Sequence, residues 1–358
     1  YDYMRRDFEL YQEIEFEYVI LDEAQYIKNQ KTKNAQSVKT LKTRHKLALT
    51  GTPIENSLAE LWSIFDFLMP QYLFNYHYFQ KQYENDIVKN NDEEKTKQLK
   101  KLVTPFILRR NKKEVLTELP DKIEQNIILP FNDEEEKIYV ANLAEANKEL
   151  QELYDLEGSD KMQILKLLTR LRQLCLEPRL VYDNIDQPSS KLKACMELIK
   201  TMQENKQKVL LFSSFTSVLD LIAEECQKAG ITYYMLTGST NKEDRRELVS
   251  RFQKDDTTVF LISLKAGGTG LNLTSAEAVI HFDPRWNVSA QNQATDRAYR
   301  IGQKNNVQVF NLVMKDSVEE KIIELQKRKK ELADMFVENN SGGLSQMSKE
   351  DILSLFTM

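Results

Sequence analysis

Residues 18–25 read Tyr18-Val19-Ile20-Leu21-Asp22-Glu23-Ala24-Gln25, a short apolar run that ends directly in two carboxylates. Runs of this kind are typical of strands buried in a parallel sheet. Such sheets bind ligands beyond the carboxyl ends of their strands, where Asp22 and Glu23 are expected. One carboxylate suits the binding of hydrated Mg²⁺, and its neighbour suits the polarisation of an attacking water. A strand end that is only solvated, without a catalytic role, would explain the same two carboxylates.

The same strand pattern recurs on both sides of a helical middle. Most of the runs are followed by helical periodicity, which predicts βαβ units and an α/β fold. Capping boxes at Ser57-x-x-Glu60 and Ser317-x-x-Glu320 open helices, the first of which Pro70 stops. Residues 134–177 predict two helices that break near Gly158. The predicted strands are 18–21, 47–49, 209–212, 233–236, 259–262, 278–282 and 307–313.

Composition limits the class of protein. The chain has 358 residues, with 50 Lys and Arg against 55 Asp and Glu, so any nucleic-acid site must be a local patch. This length predicts two domains with attachments. The three cysteines are odd in number and far apart, which argues against a disulfide framework and a zinc site. The histidines lack metal-ligand spacing, and no apolar run approaches the roughly 18 residues of a membrane span.

Two further loops carry candidate phosphate contacts. The second predicted strand ends in Thr50-Gly51-Thr52-Pro53, where hydroxyls and a glycine can sense a phosphate, although a plain turn explains them as well. The stretch Ala266-Gly267-Gly268-Thr269-Gly270-Leu271-Asn272 follows the strand at 259–262. Its glycines let the backbone approach a phosphate closely, and clustered N–H groups form an anion nest.

The strongest local signal is the sequence from Gln293 to Gln303. On a helix, Gln293, Arg297 and Arg300 would share one face at spacings i, i+4 and i+7. An exposed face with ion pairs is the plain alternative, but it does not explain why the arginines follow a glycine-rich loop and an apolar strand. Arginines that reach a γ-phosphate across a cleft accelerate its transfer, so Arg297 and Arg300 are candidate fingers.

The order of these motifs resembles the Swi/Snf-type chromatin-remodelling ATPases of helicase superfamily 2, from about residue 3 to residue 340. The motifs that carry the resemblance are Asp22-Glu23-Ala24-Gln25, Leu49-Thr50-Gly51-Thr52-Pro53-Ile54-Glu55-Asn56, Phe106-Ile107-Leu108-Arg109-Arg110-x-Lys112, Phe212-Ser213-Ser214-Phe215, Leu236-Thr237-Gly238-Ser239-Thr240, the glycine loop and Arg300-Ile301-Gly302-Gln303.

The resemblance implies an α/β fold of RecA-like P-loop NTPase lobes with parallel sheets. Lobe 1 is partial, lobe 2 is complete, and a helical insert lies between them. Such lobes close on ATP and track along double-stranded DNA without separating its strands. The expected domains are 1–125 for lobe 1 with the first protrusion, 126–187 for the second protrusion and linker, 188–316 for lobe 2, and 317–358 for the brace helix and tail.

The resemblance also implies roles for single residues. Asp22 would bind Mg²⁺ through water, Glu23 would activate the attacking water, and Arg297 and Arg300 would reach the phosphates. Gln293, Gly268 and Gly270 would contact ATP, while Thr50 and Gly51 would couple the lobes. The remaining residues would contact the DNA backbone, and such contacts carry little base information. These residues are Ser213, Ser214, Thr237, Gly238, Ser239, Lys265, Asn272 and Trp286.

The sequence departs from the family pattern in two places. Gln25 occupies the last position of the DEAH-like box, a variant that resembles bacterial members. No G-x-x-x-x-G-K-[ST] exists, since none of the ten glycines is followed by lysine. We therefore expect the C-terminal portion of a longer motor, inactive on its own.

The expected partners are double-stranded DNA and a DNA-bound protein such as RNA polymerase, with the chain a monomer outside any membrane. The expected location is the bacterial cytoplasm and nucleoid, or the nucleus in a eukaryote. Two alternatives stay open: an RNA-directed ATPase of the same superfamily, and a non-catalytic module that binds nucleic acid or a protein.

Overall fold

The computed structural model divides the chain into two compact units, Tyr1–Val115 with Gln326–Gln346, and Leu116–Leu325 with Met347–Met358. Each is described by itself. The described residues are 1–51, 58–90, 92–108, 110, 119–155, 161–267, 271–286 and 288–337.

The first unit contains short helices and a two-stranded sheet. Helix α4 buries Trp62 and Phe65 in a cluster with Phe79 and Leu99, and it ends two residues before Pro70, as predicted. The helices are α1 (Asp2–Arg6), α2 (Phe8–Tyr11), α3 (Lys33–Lys39), α4 (Leu58–Leu68), α5 (Tyr76–Phe79), α6 (Asn85–Asn90) and α7 (Glu93–Val103), with 3₁₀ turns at Ala24–Ile27 and Thr104–Phe106 and a π turn at Gln80–Glu84.

Two parallel strands, β1 (Phe16–Leu21) and β2 (Thr43–Ala48), form the sheet of this unit, with Leu21 paired to Ala48. The hydrogen bonding continues past the strands, because the Leu49 amide donates to the Leu21 carbonyl at 2.7 Å and the Ala24 amide donates to the Leu49 carbonyl at 2.9 Å. The residues after β1 and those after β2 are therefore held side by side.

The second unit contains a parallel sheet of six strands in the order β3-β8-β7-β4-β6-β5. All residues of β4, β6 and β7 are buried, as continuous apolar strands in a parallel sheet require. The strands are β3 (Lys122–Leu129), β4 (Val209–Ser213), β5 (Tyr233–Leu236), β6 (Val259–Ser263), β7 (Ala278–His281) and β8 (Val307–Met314).

The sequence prediction for this sheet is confirmed for five strands, each within one residue at either end, and it missed β3. That strand pairs with β8 from Lys122↔Val307 to Leu129↔Met314, so the predicted domain boundary after residue 125 falls inside a strand. Its sequence, KIEQNIIL, mixes polar and apolar residues because it lies at the sheet edge and is partly exposed. A search for continuous apolar runs does not detect such an edge strand.

The helices of the second unit include the two predicted in the helical insert, α8 and α9, and both are confirmed. The predicted break near Gly158 lies outside the described residues. None of the helices in the described part of the chain is long and apolar enough to cross a membrane. The helices are α8 (Asp133–Asp155), α9 (Lys161–Leu176), α10 (Ser190–Glu204), α11 (Thr216–Lys228), α12 (Lys242–Lys254), α13 (Leu264–Gly267), α14 (Val288–Thr295) and α15 (Val318–Val337), with a 3₁₀ turn at Pro178–Leu180. The residues of α15 from Gln326 onward belong to the first unit.

Polar contacts join the insert, the sheet and the start of α15. The fully buried ammonium of Lys191 donates to both oxygens of Glu319 at 2.7 Å, and Glu319 also accepts from the Met314 amide. The Tyr139 hydroxyl of α8 accepts from the Val318 amide at 2.8 Å. Helices α8 and α9 thus belong to the same compact unit as the six-stranded sheet.

Candidate functional site

The two carboxylates that follow β1 are both exposed, and the backbone between strand and turn is strained. Glu23 has φ 52° and ψ 53°, a left-handed conformation that costs a non-glycine residue about 1–3 kcal/mol. Its amide donates to Oδ1 of Asp22 at 3.0 Å. The strained residue turns the chain so that Ala24 is buried while the carboxylate of Glu23 stays in solvent.

Gln25 links Glu23 to the residue that follows β2. Its Nε2 donates to Oε2 of Glu23 at 2.6 Å, and its Oε1 accepts from the Thr50 hydroxyl at 2.8 Å. One amide side chain therefore spans two predicted site residues, Glu23 and Thr50, that lie far apart in sequence. Gly51 is exposed, and a Cβ placed there would meet no atom within 4 Å.

The chemistry of Asp22 fits a hydrated magnesium ion. Within the described ranges no group of three or more His, Cys, Asp or Glu side chains could hold a metal ion by themselves. Magnesium is commonly held by one or two carboxylates together with substrate phosphates and waters. The exposed Asp22 carboxylate at a strand end matches that kind of site.

In the second unit, the candidate DNA residues follow the carboxyl ends of β4, β5, β6 and β7, which meet at one edge of the sheet. Ser214 is half-buried, whereas Ser213 is fully buried and its hydroxyl donates to Oδ1 of Asp283 at 2.7 Å. The Ser213 hydroxyl is therefore occupied inside the protein. The half-buried Ser214 hydroxyl accepts from Nε of Arg285 at 3.3 Å and is the more accessible of the two. Trp286 is half-buried in the loop after β7.

The loop after β5 is a compact turn with accessible hydroxyl groups. The Thr237 and Ser239 hydroxyls lie 2.8 Å apart, and the Thr237 amide donates to the Thr240 hydroxyl at 3.1 Å. Gly238 and Ser239 are exposed. This turn displays small polar groups without a large side chain that would keep a polyanion away.

The segment after β6, which begins with helix α13, is held by helix α12 at Ala266 and at Asn272. No motif in the sequence marks α12 for this role. Arg245 donates to the Ala266 carbonyl at 2.5 Å, and the Gln253 amide donates to the Asn272 carbonyl at 2.6 Å. Lys265 and Asn272 are exposed. A Cβ on Gly267 would lie 2.9 Å from Phe212 Cε1, so glycine is required there. The candidate ATP residues Gly268 and Gly270 lie outside the described residues.

The predicted helix that carries Gln293, Arg297 and Arg300 on one face is wrong, because α14 ends at Thr295. Arg297 and Arg300 lie in the turns that follow. The Arg297 carbonyl accepts from the Leu273 amide at 3.0 Å, and Gln303 donates to the Ala298 carbonyl at 3.2 Å. Both carbonyls thus bond outside the pattern of a continuing helix, the first of them to a residue distant in sequence. The half-buried Arg297 and the exposed Arg300 therefore do not share a helical face with Gln293.

Helix α14 contacts the sheet through two polar pairs, one buried and one partly buried. Nε2 of His281, the last residue of β7, lies 2.9 Å from the Thr295 hydroxyl, and the Gln291 amide donates to Oδ1 of Asn311 at 2.8 Å. Hydrogen bonds depend more strongly on direction than apolar contacts do. They fix the orientation of the helix that leads into Arg297.

The buried His281 makes stability depend on pH. Burial lowers the pKa of His281 from 6.5 to about 4, although Glu124 and Asp283 favour its protonated form. As the pH falls below 6.5, the unfolded chain takes up this proton first, so the group's contribution to stability is lost as the pH approaches 4. We expect the second unit to lose ~2 kcal/mol through this group between about pH 7 and about pH 5.

Urea unfolding at the two pH values measures this effect. His281→Gln, which can hydrogen bond and cannot titrate, should remove that part of the pH dependence. His77→Gln, a change of an exposed histidine in the first unit, should leave it in place. An unchanged pH dependence in His281→Gln would contradict the assignment.

Comparisons with known proteins identify the domains that this chain resembles. The SNF2-related domain matches residues 1–180, and the helicase conserved C-terminal domain matches residues 190–302. An ATP-dependent helicase of Mycoplasma pneumoniae is 38% identical over 357 residues, which are 99% of this chain and 34% of that protein. A Bacillus subtilis protein with the provisional name ATP-dependent helicase/translocase is 38% identical over 95% of this chain and 37% of its own length.

A solved structure is also similar to this chain. The SWI2/SNF2 ATPase core of Sulfolobus solfataricus in complex with double-stranded DNA is similar to this chain with a TM-score of 0.55 and 34% identity. The match covers 99% of this chain and 75% of that one. The chain spans about a third of the length of the two curated relatives.

Proposed function

Because this chain belongs to the SNF2-related family of ATP-dependent helicases and translocases, we propose that it is part of a motor that hydrolyses ATP and moves along double-stranded DNA. On this proposal the motor does not separate the strands, and it displaces or remodels proteins bound to the duplex. RNA polymerase is one such protein. The first unit supplies the residues that act on water and metal, and the second supplies arginines and the contacts with the DNA backbone.

The hydrogen-bonded series from Glu23 through Gln25 to Thr50 carries the proposal. A carboxylate that polarises water must keep its orientation, and the Gln25 amide orients it from one side. Because the same amide accepts from Thr50, a displacement of the strand end at Thr50 moves Glu23. This arrangement can link hydrolysis to movement. A strand end that was only solvated would not require these hydrogen bonds.

The roles of the remaining nucleotide residues follow from their chemistry. Asp22 would hold Mg²⁺ through water, and the ion would neutralise charge on the phosphates. Gln293, Arg297 and Arg300 would contact the nucleotide, with the guanidinium groups placed where negative charge increases during phosphoryl transfer. The sequence contains no G-x-x-x-x-G-K-[ST] to hold the β and γ phosphates, so we propose that the 358-residue chain alone does not turn over ATP.

The DNA contacts are proposed for the loops at the carboxyl edge of the six-stranded sheet. Their accessible groups are small hydroxyls, backbone amides and one lysine, Lys265, which suit phosphates and carry little base information. The similar core from Sulfolobus solfataricus was solved with double-stranded DNA. We propose a sequence-independent contact with the duplex backbone for the segments with Ser214, Thr237, Gly238, Ser239, Lys265 and Asn272.

Duplex binding by the 358-residue chain tests this part. We expect the logarithm of affinity to fall with the logarithm of salt concentration at a slope of roughly −0.9 per contacted phosphate. Lys265→Ala should reduce that slope by about 1, as the loss of one phosphate contact predicts. Lys200→Ala, which removes an exposed lysine on α10, is the matched control and should not change it.

Competition separates the alternatives. We expect duplex DNA to displace labelled duplex, and double-stranded RNA of the same length to compete weakly. Stronger competition by RNA would instead support the RNA-directed alternative. A binding constant that does not vary with salt would contradict contacts with the phosphate backbone.

A further inference from the structure

An aspartate that none of the proposed roles includes lies beneath the loop that presents Ser214. Asp283 follows β7 closely, and its side chain is completely buried. One of its oxygens accepts from the Ser213 hydroxyl at 2.7 Å and from the Ser214 amide at 2.8 Å. The Ser213 hydroxyl in turn accepts from the Phe215 amide at 3.1 Å. The last residue of β4 and the two residues that follow it thus depend on one carboxylate for their position.

The second oxygen of that carboxylate is held by the helical insert. Nη2 of Arg172, on α9, donates to Oδ2 of Asp283 at 2.9 Å and to the Pro284 carbonyl at 3.3 Å. The guanidinium carbon also lies 5.1 Å from the centre of the Phe215 ring. The Arg172 side chain is only 12% exposed, so the contact is largely shielded from solvent and salt.

We infer that Arg172 is a positioning residue for duplex binding, acting from the helical insert through Asp283 on the loop of Ser213, Ser214 and Phe215. The inference rests on the proposed contact between Ser214 and the DNA backbone. On this inference, α9 helps to set the geometry of the loop after β4. The buried Ser213 hydroxyl supports that loop and does not itself contact the DNA.

The chemistry of the contact explains why arginine is required. A guanidinium group offers several N–H donors in a fixed plane, so it can serve the carboxylate and a carbonyl and stack on a ring at the same time. A lysine at this position retains the charge that Asp283 needs, but it cannot keep this planar arrangement. Arg172→Lys therefore loosens the loop without leaving a buried carboxylate unpaired.

The test compares Arg172→Lys with Arg170→Lys, both in the 358-residue chain. Arg170 lies on the same helix and donates to the Tyr182 hydroxyl, so the control makes the same substitution away from Asp283. Hydrogen exchange of the Ser214 and Phe215 amides reports on the loop without DNA. We expect exchange to be about 3- to 10-fold faster in Arg172→Lys and unchanged in Arg170→Lys. Equal exchange in the two variants would overturn the inference.

Duplex affinity supplies the second readout. Arg172→Lys should weaken binding about 3- to 10-fold, and combining it with Ser214→Ala should weaken binding no further than the more damaging single change. Combination with Lys265→Ala, on a different loop, should instead be additive. Additive effects of Arg172→Lys and Ser214→Ala on affinity would contradict the inference that Arg172 affects duplex binding through this loop.

The two readouts also separate this inference from the proposed function. If the unmodified chain does not bind duplex while Arg172→Lys still accelerates exchange at Ser214 and Phe215, the proposed DNA site is wrong and the Arg172 contact still positions the loop. If the duplex binds and neither exchange nor affinity responds to Arg172→Lys, the DNA site stands and the positioning role is wrong.

Discussion

Glu23→Gln, made in the chain extended by the sequence that precedes it in the gene, is expected to lower duplex-stimulated ATP turnover by about 10²–10⁴-fold. An amide cannot accept the proton of the attacking water, while its size keeps the packing of the turn. The measurement is steady-state phosphate release at saturating ATP and duplex. Duplex affinity should be unchanged, because Glu23 lies in the first unit and the proposed DNA loops lie in the second.

The control for this prediction is Glu17→Gln. Glu17 is an exposed residue of β1 that pairs with Arg44, so the same change is made on the same strand without affecting the turn. It should retain turnover close to that of the unmodified protein. A Glu23→Gln protein that kept more than about a tenth of its turnover would contradict general base catalysis by this residue.

Arg297→Ala in the extended protein is expected to reduce turnover by about 10³–10⁵-fold, the range observed when an arginine finger is missing. The reason is electrostatic, since the guanidinium stabilises charge that increases on the transferred phosphoryl group. Arg300→Ala tests the second candidate in the same assay. Because the two arginines lie in successive turns and not on one helical face, their effects are expected to differ.

The matched control is Arg251→Ala. Arg251 is an exposed residue of α12 whose partner is Glu247, one helical turn away. It should leave turnover unchanged. If Arg297→Ala and Arg300→Ala both behaved like this control, neither arginine would act on the nucleotide.

The sequence was informative where burial dictates composition. Strands such as β4 and β6 are buried along their whole length, so their residues form continuous apolar runs with clear ends. The carboxylates after β1 were recognisable because an abrupt change from apolar to acidic residues marks a strand end in an open α/β sheet, although most of β1 itself is exposed or half-buried.

The parts that were missed depend on contacts between distant residues. Just beyond the end of α14 at Thr295, the Arg297 carbonyl accepts from the amide of Leu273, a residue distant in sequence, and local periodicity contains no sign of this contact. The Gln25 contact with Thr50 spans 25 residues, and the Arg172 contact with Asp283 spans 111. No spacing rule for helices or strands predicts a contact of that kind.

Ser213 illustrates the difference between a motif and a site. Its position in Phe212-Ser213-Ser214-Phe215 predicted a contact with DNA, yet its hydroxyl donates to a buried aspartate. Because successive residues of an extended segment point to opposite sides, one serine of a pair at a strand end faces inward. We therefore propose that Ser214 makes the contact and that Ser213 supports it.

ATP turnover tests the central claim most directly. It would be measured with and without duplex DNA, on the 358-residue chain and on the chain extended by its preceding sequence. The account predicts that only the extended protein turns over ATP and that duplex DNA stimulates it. If neither protein turned over ATP while both bound duplex, the catalytic roles proposed for Glu23, Arg297 and Arg300 would be wrong. Rapid DNA-dependent turnover by the 358-residue chain alone would contradict its proposed inactivity.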